Sequence, residues 1–150
     1  MKKKTPKPKL IAGWREWAEL PELGVEQIKV KIDTGAKTSA LHAFDVLPFT
    51  YMGRECVQFE VHPIQDNDSI THTCISPIMD YRWITSSTGH RQRRFIIHTI
   101  LKMGNFSSVV EISLANRDEM GFRMLVGRSA LKKDVLVNPS HSFILTHRTR

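Results

Sequence analysis

Apolar and polar residues alternate with a period of two along most of this chain, which is the pattern of strands that bury one face. Turn-forming groups such as Met52-Gly53, Ser87-Thr88-Gly89 and Met103-Gly104-Asn105 separate these segments. The pattern predicts strands at residues 11–17, 28–33, 40–47, 55–62, 71–84, 94–103, 107–114, 122–126 and 142–146. With one short C-terminal helix at residues 128–133, the chain is all-β in class, and we predict a closed or nearly closed β-barrel.

The length and composition of the chain favour a single domain. Its 150 residues, of which 41% are hydrophobic, suffice for one core. We predict a domain at residues 10–150, preceded at residues 1–9 by a basic, disordered arm of lysines and prolines. The arm lacks the apolar centre of a signal peptide, and no later segment approaches a membrane span. The sequence therefore predicts a cytoplasmic protein with no membrane partner.

The net charge indicates which partners the chain binds, and the number of cysteines indicates whether its thiols are reduced. The formal net charge of +7 favours anionic partners such as nucleic acid, a ribosomal surface or an acidic peptide, although part of it also serves solubility. Cys56 and Cys74 are too few for a dense disulfide framework. We expect reduced, buried thiols, with pairing of the two as the alternative.

One tripeptide carries the sharpest chemical signal. Residues 30–36 alternate like a strand and contain Asp33-Thr34-Gly35, a sequence that occurs once in the chain. In aspartate-catalysed hydrolysis of a peptide, one carboxylate accepts a proton from the attacking water while a second donates a proton to the carbonyl oxygen. Further along the chain, the apolar residues 124–126 run into Gly127-Arg128. The first motif predicts aspartic protease chemistry.

Both motifs resemble a known family. An Asp-Thr-Gly-Ala turn followed by an apolar Gly-Arg element resembles the retropepsins in sequence and in order. The segments GWREW (13–17), KVKIDTGAKTSALHA (29–43), NRD (116–118) and MLVGRSAL (124–131) are more specifically similar to small bacterial retropepsin-like proteins, often labelled ATP-dependent zinc proteases. That group includes a protease encoded beside a ribosomal-protein glutamate ligase. The resemblance covers most of the chain after residue 10.

The resemblance implies the acid-protease fold, a closed barrel that supplies one lobe per chain. The catalytic pair then needs a second copy across a two-fold axis, which makes a homodimer. Asp33 is implied as the catalytic carboxylate, Thr34 as a brace for the facing loop and Gly35 as a backbone donor to the carboxylate. The implied substrate is a glutamate-rich tail on a ribosomal protein, with the glutamate ligase as a further partner.

The chain departs from the retropepsin pattern at Lys37. Retropepsins have an aspartate at this place, which pairs with the arginine of the Gly-Arg element. Arg128 therefore either finds another acid, for which Asp118 is a candidate, or faces the substrate. Lys37 and Arg128 together would form an anion pocket. The alternatives are a solvated lysine and a structural ion pair.

Substrate binding is assigned to the loop after the aspartate and to the second motif: Ala36, Lys37, Thr38, His42 and Arg128, with Gly127 and Arg128 as the structural signature. A lone strand histidine such as His42 is more often packed than catalytic. The basic residues 90–94 follow a turn and form either a flap over the cleft or a solvated hairpin. Trp14, Trp17 and Trp83 are expected in the core or at a dimer interface.

Two other functions compete with the aspartic protease. A zinc-dependent peptidase needs three ligands, usually with a spacing such as His-Glu-x-x-His, and His62, His72 and Cys74 show no such spacing. No Gly-x-x-x-x-Gly-Lys-Ser/Thr loop is present for ATP, so we predict neither a metal nor another cofactor. The other alternative is a non-catalytic basic barrel that binds RNA or the ribosome through residues 2–9 and 91–94. We expect it to lack the interleaved surface aromatics of a base-stacking platform.

Overall fold

The computed structural model describes residues 9–64, 69–85, 89–116, 121–132 and 134–146. Within these ranges it contains twelve strands, a 3-10 turn at Pro21–Leu23 and one short helix, α1, at Arg128–Leu131. The strands are β1 Leu10–Gly13, β2 Arg15–Leu20, β3 Val25–Asp33, β4 Ser39–His42, β5 Phe44–Tyr51, β6 Arg54–Val61, β7 His72–Pro77, β8 Asp80–Thr85, β9 Arg91–Met103, β10 Phe106–Ala115, β11 Met124–Gly127 and β12 Val135–Asn138.

Six strands close into a barrel in the order β10-β4-β11-β3-β2-β9, because β9 also pairs with β10. Strand β8 extends the sheet beyond β9. A three-stranded sheet, β5-β6-β7, and a parallel pair, β1-β12, complete the described chain. The predicted fold class, mainly β with a closed barrel and one short C-terminal helix, is confirmed.

Alternating side chains fill the barrel. In β3, Ile28, Val30 and Ile32 are buried at the two-residue period of a strand that has one solvated face, and Val25 is buried before the register shift between β2 and β3. Residues from other strands meet them in one continuous core: Leu20, Leu41, Ile97, Leu101, Ile112, Met124 and Val126. Burial of each large aliphatic side chain contributes roughly 1.5–3 kcal/mol. The barrel walls around the end of β3 are therefore well supported.

Several sequence-predicted elements divide in the structure. The first strand breaks at Trp14, the third at Ala43, and the long segment 71–84 ends its first half at Pro77 and resumes at Asp80. Strand β12 was not predicted, and β1 was predicted only as part of the longer segment 11–17. The helix ends at Leu131, before Lys132 with φ 53°. Its predicted end, Lys133, lies outside the described residues.

The predicted last strand, 142–146, is wrong, because these residues form bends with no strand pairing. The N–H of Phe143 donates to the carbonyl of Arg15 at 2.9 Å, and the next three N–H groups bind a buried carboxylate. Glu16, which is fully buried, accepts hydrogen bonds from the N–H groups of Ile144, Leu145 and Thr146 at 3.0, 3.0 and 2.9 Å. A side chain of β2 thus replaces the neighbouring strand that the apolar pattern had implied.

Cys56 and Cys74 are both buried and free, as expected. The predicted N-terminal arm lies outside the described residues except for Lys9, which is exposed. None of the helices in the described ranges has the length and apolar character needed to cross a membrane.

Candidate active site

The two sequence motifs lie side by side at one end of the barrel. Strand β11 runs parallel to β3, and Gly127 pairs with Asp33 in the register. A Cβ atom on Gly127 would lie only 2.8–2.9 Å from backbone atoms of Ala36, Lys37 and Thr38. Glycine is required here because the loop after Asp33 passes directly over this residue.

The Asp-Thr-Gly loop holds its own carboxylate. The N–H of Gly35 donates to Oδ1 of Asp33 at 3.1 Å, and the N–H of Ala36 donates to the Asp33 carbonyl at 3.2 Å. Asp33 is half-buried, whereas Thr34 and Gly35 are exposed. The strand end and the turn therefore present an oriented carboxylate close to the surface.

The segment from Gly127 to Ser129 fastens the same loop by its backbone. The N–H of Arg128 donates to the carbonyl of Ala36 at 2.8 Å, and that of Ser129 donates to the carbonyl of Lys37 at 3.1 Å. The Ser129 hydroxyl also donates to the Lys37 carbonyl. These contacts fix residues 36 and 37. They explain why the Gly-Arg element lies next to the Asp-Thr-Gly loop in the folded chain.

Arg128 braces the loop through its side chain as well. Its Nη1 donates to the carbonyl oxygens of Gly35 and Thr34 at 3.3 and 3.5 Å. Among the described residues the ion pairs are those of Arg82 with Asp80 and Glu111, so Arg128 has no carboxylate partner there. Asp118, the proposed replacement acid, lies outside the described ranges. Lys37 is exposed on the same loop, which leaves two positive charges near Asp33.

A buried polar chain behind the loop was not predicted from the sequence. The Oγ of Ser39 accepts a hydrogen bond from the N–H of Gly127 at 3.0 Å, and the Ser39 carbonyl accepts one from the Ser113 hydroxyl at 3.3 Å. Nη1 of the buried Arg94 donates to the Ser113 Oγ at 3.4 Å. Ser39 lies within the family-specific segment 29–43, and that position was the one sign in the sequence that it belongs to the site. Arg94 had been assigned to a basic hairpin tip.

His42 lies away from this loop. In the register, its neighbour Leu41 pairs with Met124, whereas Asp33 pairs with Gly127, three residues further along β11. Three residues of strand span about 10 Å. The His42 ring is buried against His62 and Phe44, with centroids at 6.3 and 6.4 Å. Of the predicted substrate residues, Ala36, Lys37, Thr38 and Arg128 share the loop region, and His42 does not.

The predicted flap corresponds to the hairpin of β8 and β9, whose tip at residues 86–88 lies outside the described ranges. Its role as a flap stays a prediction. Trp14 and Trp17 are half-buried, against Phe122 and Phe143 respectively. Trp83 lies outside the core, because its side chain on β8 is 56% exposed, and its place at a dimer interface stays a prediction.

The histidines named in the zinc hypothesis bind backbone groups. Nε2 of His72 is 2.9 Å from the carbonyl of Leu23, and Nδ1 of His62 is 3.2 Å from that of Ile70. In the part of the chain that the structure describes, no three His, Cys, Asp or Glu side chains are grouped as metal ligands would be.

Comparison with known proteins identifies relatives of this architecture. The model of the RimB-like family, described as retropepsin-like aspartic endopeptidase RimB, matches residues 11–148. Proteins named "Probable alpha-L-glutamate ligase" from Shewanella pealeana and Desulfotalea psychrophila are 44% and 42% identical over 137 and 132 residues. These matches cover 91% and 88% of this chain but 30% and 28% of the ligases, so the chain spans under a third of their length.

A crystal structure of a protein of unknown function (DUF785) from Legionella pneumophila has the same fold. Its TM-score is 0.74, at 22% sequence identity, and the match covers 91% of this chain and 98% of the Legionella chain.

Proposed function

Since the chain belongs to the RimB-like family of retropepsin-like aspartic endopeptidases, we propose that it hydrolyses peptide bonds through Asp33 and the same aspartate of a second copy. One observation carries the proposal: the single Asp-Thr-Gly sequence ends β3, and Gly127 of the second motif lies directly beside it. An aspartic mechanism needs two carboxylates that share a proton. One chain supplies one of them in this loop, so a homodimer with the loop on its two-fold axis completes the site.

The local geometry supports Asp33 as the reacting group. Its Oδ1 accepts the Gly35 N–H, and Oδ2 has no hydrogen-bond partner among the residues that the structure describes. One oxygen thus orients the carboxylate while the other is available to water or to the facing aspartate. Thr34 is exposed beside it. In the dimer, its hydroxyl is assigned to bracing the loop of the second copy.

The charges around the loop favour an acidic substrate. Arg128 donates to two neutral carbonyls, which orient its guanidinium without cancelling its charge. Lys37, which lies four residues after Asp33 on the same loop, adds a second exposed cation. Carboxylate side chains of a peptide are the natural partners of such a pair, because charge-assisted hydrogen bonds are stronger than neutral ones. Ala36 and Thr38, both half-buried, would line the same subsite.

The relatives suggest which acidic peptide this is. A segment like this chain lies within proteins named as alpha-L-glutamate ligases. A ligase that adds glutamate and a hydrolase that removes it act on the same chemical group. The proposed substrate is accordingly a glutamate-rich tail, on a ribosomal protein in the cytoplasm, whose length the ligase and this hydrolase set together.

Tail length after incubation tests the proposal directly. A peptide that carries an oligoglutamate tail is incubated with the purified chain, and the products are measured by mass spectrometry. The wild type should shorten the tail, and Asp33→Asn should lower the rate on the order of 10³-fold, because the amide cannot exchange the proton. The matched control is Asp45→Asn, since Asp45 is exposed at φ 50°, a conformation that asparagine accepts.

Three outcomes would contradict all or part of the proposal. Turnover that survives Asp33→Asn removes Asp33 from the mechanism. Activity that EDTA abolishes and zinc alone restores replaces the aspartic mechanism by a metal-dependent one. Cleavage of neutral but not glutamate-rich peptides would leave the catalytic assignment in place and remove the substrate assignment.

A further inference from the structure

The hairpin of β8 and β9 carries an aromatic and basic face. Cross-strand partners in the antiparallel register are Tyr81 with Phe95, Trp83 with Arg93, and Thr85 with Arg91. Side chains two residues apart on a strand share a face, so all of these side chains lie on one side of the hairpin. We call this surface the Trp83 face; its members are Tyr81, Trp83, Thr85, Arg91, Arg93 and Phe95.

The rings and guanidinium groups on the Trp83 face stack on one another. The Arg93 guanidinium lies 4.2 Å from the Tyr81 ring centroid, and that of Arg91 lies 4.9 Å from the Trp83 centroid. Tyr81 stacks on Phe95 with centroids 4.5 Å apart. Tyr81 and Trp83 are nevertheless 42% and 56% exposed. The expectation that the chain lacks interleaved surface aromatics is therefore wrong.

The arginines of this face lack acidic partners among the residues that the structure describes. Residues 81–95 include no aspartate or glutamate. In the described part of the chain, the ion pairs are those of Arg82, which alternates to the opposite side of β8 from Tyr81 and Trp83. Arg91 and Arg93 are exposed and keep their positive charge. β8 also ends the seven-stranded sheet, so no further strand pairs with its outer edge in that sheet.

We propose that the Trp83 face binds single-stranded RNA, a function beyond the proposed hydrolysis. Unpaired bases stack on aromatic rings and on arginine planes, and the same arginines neutralise phosphates. An acidic peptide would use the arginines but not the aromatic rings. A duplex would hide the base faces that the rings need. Exposed rings, together with guanidinium groups that have no carboxylate partner among the described residues, thus fit an unpaired polynucleotide better than an acidic peptide or a duplex.

Fluorescence anisotropy with a labelled ten-nucleotide, unstructured RNA tests this binding on the full chain. Trp83→Ala should weaken binding roughly tenfold, because one stacked base is lost, whereas Trp83→Phe should keep most of the affinity. Arg91→Gln with Arg93→Gln should also weaken binding. The logarithm of the association constant falls linearly with the logarithm of the salt concentration. This double variant should make that slope less steep by about 1.4, since each phosphate contact with a single strand contributes about 0.7.

The matched control removes the same charge elsewhere. Arg54→Gln with Lys102→Gln removes two exposed cations outside the Trp83 face, one on β6 and one near the far end of β9, and should leave the affinity within about twofold of wild type at fixed salt. Circular dichroism confirms that each variant is folded. Peptide hydrolysis is measured in parallel for every variant, so that failure of RNA binding is scored separately from failure of the proposed protease.

Three results would overturn the proposal. Unchanged RNA affinity in Trp83→Ala removes the stacking surface. Equal losses of RNA affinity in the two variants that each lack two positive charges would show that binding depends on net charge alone. An oligoglutamate peptide that binds wild type more tightly than the RNA does, and loses affinity with the Arg91 and Arg93 changes but not with Trp83→Ala, would make the face a docking site for acidic protein.

Discussion

Lys37 lies in the loop where the retropepsin pattern has an aspartate, and the structure leaves its side chain exposed beside the Asp33 turn. Lys37→Glu should lower kcat/KM for glutamate-rich peptides at least about tenfold, because attraction to the tail becomes repulsion. Neutral-peptide cleavage should change much less. Steady-state kinetics on a matched pair of acidic and neutral peptides measure the ratio. Rising salt should reduce the wild-type preference, since exposed charges are screened over about 10 Å at roughly 0.1 M.

Lys102→Glu is the control for this change. Lys102 is exposed on β9, so its substitution by glutamate makes the same change of charge at a position outside the Asp33 loop. It should leave the ratio of acidic to neutral turnover close to that of wild type. A Lys37→Glu enzyme with an unchanged ratio would show that Lys37 is only a surface lysine and that no anion pocket exists.

Cys74 gives the fold a sensitivity to alkaline pH. Burial of the thiol, with a smaller contribution from the charge of Glu60, raises the pKa of Cys74 from 9.0 to about 12. The unfolded chain loses this proton at lower pH than the folded chain does. The contribution of the protonated thiol to the free energy of unfolding is therefore complete below about pH 9, and it decreases as the pH rises from 9 towards 12. Denaturant titrations at pH 8 and 10.5 should show a smaller pH dependence for Cys74→Ala than for wild type.

Cys56→Ala is the comparison, because it removes the other buried thiol and keeps Cys74. Its denaturation at the two pH values separates the effect of Cys74 from the effect of removing any buried thiol. Equal pH dependence in Cys74→Ala and wild type would refute the assignment.

At the scale of elements, the Glu16 carboxylate connects the start and the end of the described domain. It accepts five hydrogen bonds, from Gly13 of β1, from Ile144 and Leu145, and from the N–H and hydroxyl of Thr146. Glu16→Gln turns one acceptor oxygen into a donor that faces donors. We expect a loss of about 3 kcal/mol in the free energy of unfolding, since buried N–H groups lose a charged acceptor. For a domain of this size that corresponds to roughly 6–12 °C in Tm.

Glu19→Gln is the matched change on the same strand. Glu19 is exposed, so its substitution should alter Tm by no more than a degree or two. Similar Tm values for Glu16→Gln and wild type would mean that the segment 142–146 is held by its apolar contacts instead of by the carboxylate.

The elements differ in how far local sequence determines them. β3 and its Asp-Thr-Gly turn were predicted close to their observed end, because alternation and turn chemistry act within a few residues. The segment 142–146 looked like a strand, yet its N–H groups donate to Glu16, which lies 130 positions before Thr146. Ser39 joins Ser113 and Gly127 only after the barrel closes. Contacts of that range leave no mark on the local pattern. Trp83 likewise has an ordinary strand context, and its exposure follows from the position of β8 at the end of the sheet.

For the whole molecule, the arrangement of the barrel makes the proposed site incomplete in one chain. The parallel pairing of β3 with β11 brings the two motifs together, but the second motif contributes Gly127 and Arg128, with no carboxylate. The Asp-Thr-Gly turn faces outward, with Thr34 and Gly35 exposed. A second turn can therefore approach without rearrangement of the barrel, and Gly35 adds no side chain to obstruct it.

Mixing experiments distinguish a shared site from a site within one chain. With random exchange, an equal mixture of wild type and Asp33→Asn contains about a quarter wild-type dimers and about half mixed dimers. Because a mixed dimer lacks the pair that shares a proton, the mixture should retain about a quarter of the activity of the same total concentration of wild type. A site within one chain would retain about half. Native mass spectrometry establishes exchange, and a mixture with Asp45→Asn should keep full activity. Retention of half the activity after complete exchange would show that each chain works alone, and the second carboxylate would then have to be sought within the same chain.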